Sequence, residues 1–189
     1  MTIPVLALLL CGCRPDRDAS TPDASALPPL PRRAELQGLS DSALEETLYE
    51  WTLRRIGAED SLFEQDREIV LRLPSGYLDL YATRVVEEEL DEGGVAQMLG
   101  SVNRRFLPDA IRAYRRMGAE GHARLLRRAL AAVRRGKGIL DWNEGVDLGD
   151  LPPDSLDRDL DRRLAALRED APGLRALWIR HHLLRFVQR

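Results

Sequence analysis

The sequence has few aromatic side chains, and it has no cysteine after residue 13. Aromatic residues make up only 5 % of the 189 residues. A core must therefore be built mainly from leucine, alanine, valine and isoleucine, as packed helices allow. Both cysteines, Cys11 and Cys13, stand in the first thirteen residues, which excludes a disulfide or a thiolate metal site from the rest of the chain. Lysine occurs once, at Lys137, so arginine carries almost all of the positive charge.

Sequence patterns of common active sites are also missing. There is no Gly-x-Ser-x-Gly elbow, no phosphate-binding glycine loop and no cysteine nucleophile beyond the first thirteen residues. His181 and His182 are adjacent, and neighbouring helix positions point about 100° apart, so they cannot chelate one metal ion as i, i+4 partners could. The acidic loop over residues 141–150 does not have the spacing of an EF-hand. We therefore predict a protein that is not an enzyme and that needs no cofactor and no metal.

Charge is unevenly distributed along the chain, although the net charge is only −3. Residues 34–100 carry 16 acidic and 5 basic side chains, whereas residues 101–140 carry 11 basic and 2 acidic ones. So small a net charge does not by itself indicate a nucleic acid or a membrane surface as a partner. We expect the arginines of the basic block to face the acidic helices or water, and phosphate binding is the alternative.

The N-terminus resembles a bacterial lipoprotein signal peptide. Ile3–Leu10 is an apolar run too short for a bilayer, which needs about 20 residues, but it has the length found in signal peptides. Leu10–Cys13 resembles the lipobox, in which cleavage precedes a cysteine that receives a diacylglycerol. The resemblance implies that residues 1–12 are removed and that Cys13 is lipidated, although the usual basic leader is absent. Residues 13–38 contain five prolines among small polar residues and are predicted to form a disordered linker.

From residue 39 onward the pattern is helical, and no run of alternating strand residues occurs. Helix ends are predicted at Gly57, Pro74, Gly93-Gly94 and Gly118. Ser42 and Glu45 have the spacing of a capping box, and Asp170 is placed to cap the last helix. Leucines at helical spacing over residues 156–167 indicate an amphipathic helix. The predicted fold is a single compact all-α domain of about six to seven helices over residues 39–189.

A short motif connects this domain with a known family. The segment Glu89-Leu-Asp-Glu-Gly-Gly-Val-Ala-Gln97 resembles the bacterial helical family typified by a DNA-mimic protein. In that family a helix ends in Glu, two Asn and two Gly, and an aromatic residue and a Gln follow. The matching residues are Glu89, Gly93, Gly94 and Gln97, while Asp91 and Glu92 replace the asparagines, Val95 the aromatic residue and Ser101 a later Asn. The resemblance extends from about residue 40 to residue 189.

The motif itself is predicted to be mainly structural. Two glycines permit the tight backbone that a helix reversal needs, and Gln97 can satisfy carbonyls left free at a helix end. The family resemblance adds a function, because its members present carboxylates as DNA presents phosphates. Asp91 and Glu92 would belong to such an acidic surface.

Three hypotheses about function remain open. The leading one is a non-enzymatic protein-binding domain at the cell envelope, facing the periplasm. Its protein partner is unknown, and its only membrane contact is the lipid on Cys13. The alternative is a cytoplasmic DNA mimic that occupies a nucleic-acid-binding partner; the large basic block and an extracytoplasmic location both argue against it. Direct nucleic-acid binding through the arginine helices is the third hypothesis and is not expected.

Overall fold

A computed structural model describes residues 29–60, 62–134 and 156–187. The segment with Cys13, most of the expected linker and the acidic loop over residues 141–150 lie outside these ranges. The described residues form eight α-helices and two 3-10 helices and contain no strand, which confirms the all-α prediction. The α-helices are α1 (Arg33–Gln37), α2 (Asp41–Glu59), α3 (Asp66–Leu71), α4 (Ser75–Gly100), α5 (Leu107–Met117), α6 (Glu120–Arg134), α7 (Leu156–Ala165) and α8 (Ala171–His181). The 3-10 helices are Val102–Phe106 and Leu183–Arg185.

The folded part begins earlier in the chain than expected. Residues 29–38 were predicted to belong to the linker, but α1 lies within them and the side chain of Leu36 is buried. The indole nitrogen of Trp51 donates a hydrogen bond to the carbonyl of Pro29 at 2.8 Å. The proline-rich composition of this segment indicated disorder. Tertiary contacts such as these two outweigh that local preference.

The ends of α2 differ from the prediction at both sides. Its N-cap is Ser40, whose hydroxyl accepts a hydrogen bond from the Ala43 amide at 3.3 Å, and Ser42 lies inside the helix. Glu45 is therefore not a capping residue, and its side chain is buried. Gly57 does not end the helix, since a glycine inside a helix costs only about 1 kcal/mol relative to alanine and α2 continues to Glu59.

α4 is the central element of the fold. It packs against α2, α3, α5, α6 and α7, and its buried residues include Tyr77, Leu80 and Val86. α8 packs on α2 and α5, so that α2, α4 and α8 lie around one side of the core. None of the helices within the described ranges combines the length and the apolar character that a membrane span needs.

α4 bends sharply at the glycine pair. Gly93 and Gly94 have non-helical backbone angles, and the helix resumes at Val95. The sequence predicted two helices separated by these glycines, and the structure shows two helical halves that follow each other directly. The start of the last helix agrees with the prediction, because the Asp170 carboxylate caps α8 by accepting a hydrogen bond from the Gly173 amide at 3.0 Å. The helix ends at His181 and a 3-10 helix follows it.

Candidate functional site

An open acidic groove of about 730 Å³ lies between α2, α4 and the start of α8. Its charged lining consists of two arginines and seven carboxylates: Asp41, Glu45, Glu46, Glu87, Glu88, Asp91 and Asp170. Side chains three or four residues apart share one face of a helix, which is why α2 and α4 each contribute several of these carboxylates. Six of the 16 acidic side chains of residues 34–100 therefore line one concave surface.

The first of the two arginines, Arg175, lies beneath the groove. Its side chain is 1 % exposed and contacts Glu45 at 2.8 Å and Glu87 at 2.7 Å. Burial lowers the pKa of Arg175, but the carboxylates of Glu87 and Glu45 raise it by more, so the net pKa lies above the usual value for arginine. This guanidinium bridges the two innermost carboxylates, balances one of their two negative charges and fixes their positions.

The second arginine, Arg84, lines the wall of the groove. It is 25 % exposed and lies 3.2 Å from Glu45 and 3.3 Å from Glu46, with its guanidinium 4.3 Å from the ring centre of Tyr49. Burial lowers the pKa of Arg84, but the carboxylates of Glu45 and Glu46 raise it by more, so the net pKa lies above the usual value for arginine. Its charge is thus balanced within the groove.

The outer edge of the groove is acidic. The side chains of Glu46 and Glu88 are each 52 % exposed, and that of Asp41 is 45 % exposed. Since the two arginines of the groove are buried or mostly buried, they do not interrupt this acidic surface. A partner that approaches the groove meets carboxylates first.

The family motif forms a buried polar cluster beside the groove. Glu89 is buried, and its carboxylate accepts hydrogen bonds from Ser101, from Asn103 at 2.6 Å and from Gln97 at 3.1 Å. The prediction that Gln97 satisfies carbonyls at a helix end is therefore wrong, because its amide donates across the kink to Glu89 instead. The cluster joins the two halves of α4 to the 3-10 helix that follows.

The glycine pair allows α7 to approach the kink. Gly94 has φ +73°, in the region that favours glycine, and a Cβ atom there would lie 2.8 Å from a carboxylate oxygen of Asp161. That carboxylate accepts a hydrogen bond from the Val95 amide at 2.7 Å and so caps the second half of α4. The structural role of the glycine pair stays a prediction, and the backbone angles of Gly94 are of the kind that it requires. Of the two neighbouring acidic residues, Asp91 lines the groove, whereas Glu92 is exposed outside it.

The basic block does not face the acidic groove. Arg112 and Arg116 bind the buried Asp109 and Asp79. The exposed arginines of this block that form no ion pair within the described ranges are Arg104, Arg115, Arg124, Arg127 and Arg128. These side chains point to solvent, which is one of the two arrangements expected.

The three histidines, His122, His181 and His182, have separate surroundings. His122 lies 3.0 Å from the Glu169 carboxylate, and the ring of His182 contacts the Trp178 carbonyl at 2.7 Å, while His181 is exposed. Among the described residues, no group of three or more His, Cys, Asp or Glu side chains is arranged to hold a metal ion.

Sequence reasoning missed the buried ion pair of Arg175 with Glu45. A signal for it exists, because Ala171, Arg175, Trp178 and Ile179 share one helical face, and three of them are apolar. Glu45 occupies the same kind of position with Leu48 and Ile56. When one helix has a single positive residue in its apolar stripe and another helix has a single negative one, the two charges are expected to pair in the core.

The comparisons with known proteins agree with the motif. A family model described as DMP19-like protein matches residues 71–182, which is more than half of the chain. The match extends from the end of α3 through α8, so it includes the Glu89 cluster and two of the three helices that line the groove. No curated protein and no solved structure shows a significant match to the chain. The match confirms the resemblance drawn from Glu89 to Gln97, and the chain belongs to the family of DMP19-like proteins.

Proposed function

We propose that this protein is a non-enzymatic DNA mimic, whose acidic groove occupies the basic nucleic-acid-binding surface of a protein partner. The observation that carries the proposal is the arrangement of charge in the groove. Glu46 and Glu88 are exposed at its edge, whereas Arg175 is buried beneath it. Membership of a family typified by a DNA-mimic protein supports the same conclusion.

The groove suits a partner surface that normally binds phosphates. Lysine and arginine side chains that recognise phosphate also form charge-assisted hydrogen bonds with carboxylates. Concentrated charge of one sign speeds the association of such surfaces and makes it sensitive to salt. Because Arg175 and Arg84 already hold the inner carboxylates in place, fewer side chains must be ordered on binding. Leu177, which is 49 % exposed, adds an apolar contact at the edge of the groove.

Competition with DNA tests this proposal. Proteins from a lysate of the organism that encodes the chain are loaded on DNA–cellulose at low salt, and the purified protein is then passed over the column at constant salt. A DNA mimic releases its partner, because both ligands compete for one surface. We expect one or a few DNA-binding proteins to elute. If the protein elutes nothing at concentrations well above those of the bound proteins, the proposal is wrong.

Matched charge reversals distinguish binding through the groove from an effect of the net negative charge. Glu46→Lys/Glu88→Lys changes the edge of the groove, whereas Glu50→Lys/Glu120→Lys makes the same change in net charge at exposed positions outside it. We expect the groove variant to need at least about tenfold more protein for the same elution, because unfavourable charges at an interface cost several kcal/mol. The control variant should elute like the wild type. Equal losses in both variants would contradict a specific role for the groove.

A second candidate uses the same groove in a different compartment. The lipobox-like segment Leu10–Cys13 favours an envelope protein that is anchored through a lipidated Cys13 and binds an unknown protein there. In cells fed radiolabelled palmitate, we expect label on the wild type and none on Cys13→Ser. An unlabelled wild type, or equal label on both proteins, would exclude the anchor and leave the cytoplasmic mimic.

A further inference from the structure

A second charged surface lies at the N-terminal end of α4 and the C-terminal end of α8, and it adjoins the acidic groove only where Arg180 pairs with Asp41 at 2.8 Å. Three adjoining concavities of about 460, 600 and 420 Å³ meet there, and Arg185 lines all three. Of the described residues that line them, Asp79 is the only carboxylate. The arginines of this basic face are Arg33, Arg72, Arg112, Arg116, Arg180 and Arg185.

The ion pairs around the basic face leave it positively charged. Asp79 binds both Arg116 and Arg185. Asp109 likewise binds Arg67 and Arg112, and Glu59 binds Arg55 and Arg72. Because each of these three carboxylates is shared by two guanidinium groups, each cluster keeps one positive charge. Arg33 adds another, since it is exposed and forms no ion pair within the described ranges. Arg180 adds none, because it pairs with Asp41 at 2.8 Å.

Two exposed leucines lie among these arginines. Leu184 is 64 % exposed and lies between two of the concavities, and Leu71 is 49 % exposed and lines the third. A single exposed leucine is ordinary on a protein surface. Leucines surrounded by arginines, however, are the combination that binds the boundary between lipid headgroups and acyl chains.

The chain joins the domain at this same face. Leu30, almost the first described residue, lines a concavity together with Leu184 and Arg185. The described part of the chain therefore begins beside the basic face.

We propose that the basic face binds an anionic membrane surface. The positive charge attracts acidic headgroups, and Leu71 and Leu184 enter the interface. The inference goes beyond the proposed function and beyond a lipid anchor, because the face itself carries the contact. The groove and the basic face have no lining residue in common, so a partner in the groove and a membrane at the basic face do not compete for the same side chains.

Vesicle flotation tests the proposal. The full-length chain carries Cys13→Ser in every sample, so that no acyl chain contributes to binding. Vesicles of phosphatidylcholine alone are compared with vesicles that also contain phosphatidylglycerol. We expect capture by the anionic vesicles to exceed capture by the neutral ones, and raised salt to abolish the difference. Equal capture by both kinds of vesicle, or by neither, would overturn the proposal.

Substitutions at exposed positions locate the contact. Each arginine near an anionic surface changes partitioning about fivefold, so Arg33→Glu/Arg72→Glu should weaken it at least about 25-fold. Leu184→Ser should also reduce capture. Arg124→Glu/Arg127→Glu makes the same charge change on α6 and should stay within about threefold of the wild type, because distant charges are screened.

Two outcomes of the variant experiment overturn the proposal. One is an equal loss in the basic-face variant and the α6 variant when circular dichroism shows both to be folded. The other is tight binding of duplex DNA that the basic-face variant loses while vesicle capture is unchanged, which would assign the face to nucleic acid instead.

Discussion

Replacing Arg175 with methionine is expected to lower the free energy of unfolding by about 3–5 kcal/mol, the usual cost of removing one partner from a buried ion pair. Arg175 is 1 % exposed, and it is the main counterion of Glu87 and the closest one of the buried Glu45. Without it, Glu87 loses its counterion and Glu45 keeps only the contact with Arg84. Urea denaturation at neutral pH measures the loss, and binding through the groove should weaken with it.

Two further variants distinguish the loss of charge balance from the loss of packing. Arg175→Met/Glu45→Gln/Glu87→Gln removes the charges together and should recover much of the stability, since a neutral replacement of a whole buried cluster is often tolerated. Arg163→Met breaks an exposed pair with Asp159 and should change stability by less than about 0.5 kcal/mol. If Arg175→Met lowers the free energy of unfolding as little as Arg163→Met does, Arg175 is not an essential counterion of Glu45 and Glu87.

Gly94→Ala is expected to cost about 2–4 kcal/mol. The φ of +73° and ψ of −161° belong to a region that is strained by about 1–3 kcal/mol for other residues. The added Cβ would also displace the Asp161 carboxylate from the Val95 amide, and a lost helix cap costs about 1 kcal/mol. The free energy of unfolding from urea titrations measures the effect.

Two other glycines provide controls for this substitution. Gly118 has φ +87° but open space around its Cα, so Gly118→Ala should cost about 1–2 kcal/mol from the left-handed backbone alone. Gly38 has an ordinary φ of −83° and nothing within 4 Å, so Gly38→Ala should be neutral or slightly stabilising. If Gly94→Ala behaves like Gly38→Ala, the tight kink is not a requirement of the motif.

Helix content and helix order could be predicted because they depend on short-range chemistry. Gly118 and Asp170 act as the sequence indicated, because a left-handed residue and a side-chain cap are local features. Ser42 and Gly57 misled the prediction, because an equally good cap stood two residues earlier and tertiary packing outweighs the small cost of a helical glycine. The start of the domain was missed because α1 is stabilised by the burial of Leu36 in the hydrophobic core, which is a tertiary contact and not a local pattern.

The candidate site could be predicted only in part. The acidic block indicated acidic helices, but it did not show that α2 and α4 turn their carboxylates toward the same groove. Local patterns place Arg175 and Glu45 each on the apolar face of a helix, but they do not show that these two residues, 130 positions apart, are partners. The prediction for Gln97 was wrong for a related reason. Gln97 donates to Glu89, and the kink of α4 between them brings these two side chains together.

Carboxyl footprinting of the complex tests the central claim most directly. The protein is labelled with a carbodiimide and an amine, alone and bound to the protein that it elutes from DNA–cellulose, and labelled residues are located by mass spectrometry. If the groove is the binding surface, the partner will protect Glu46, Glu88 and Asp170, while Glu50 and Glu120 remain labelled. Unchanged labelling in the groove, with protection elsewhere, would contradict the account.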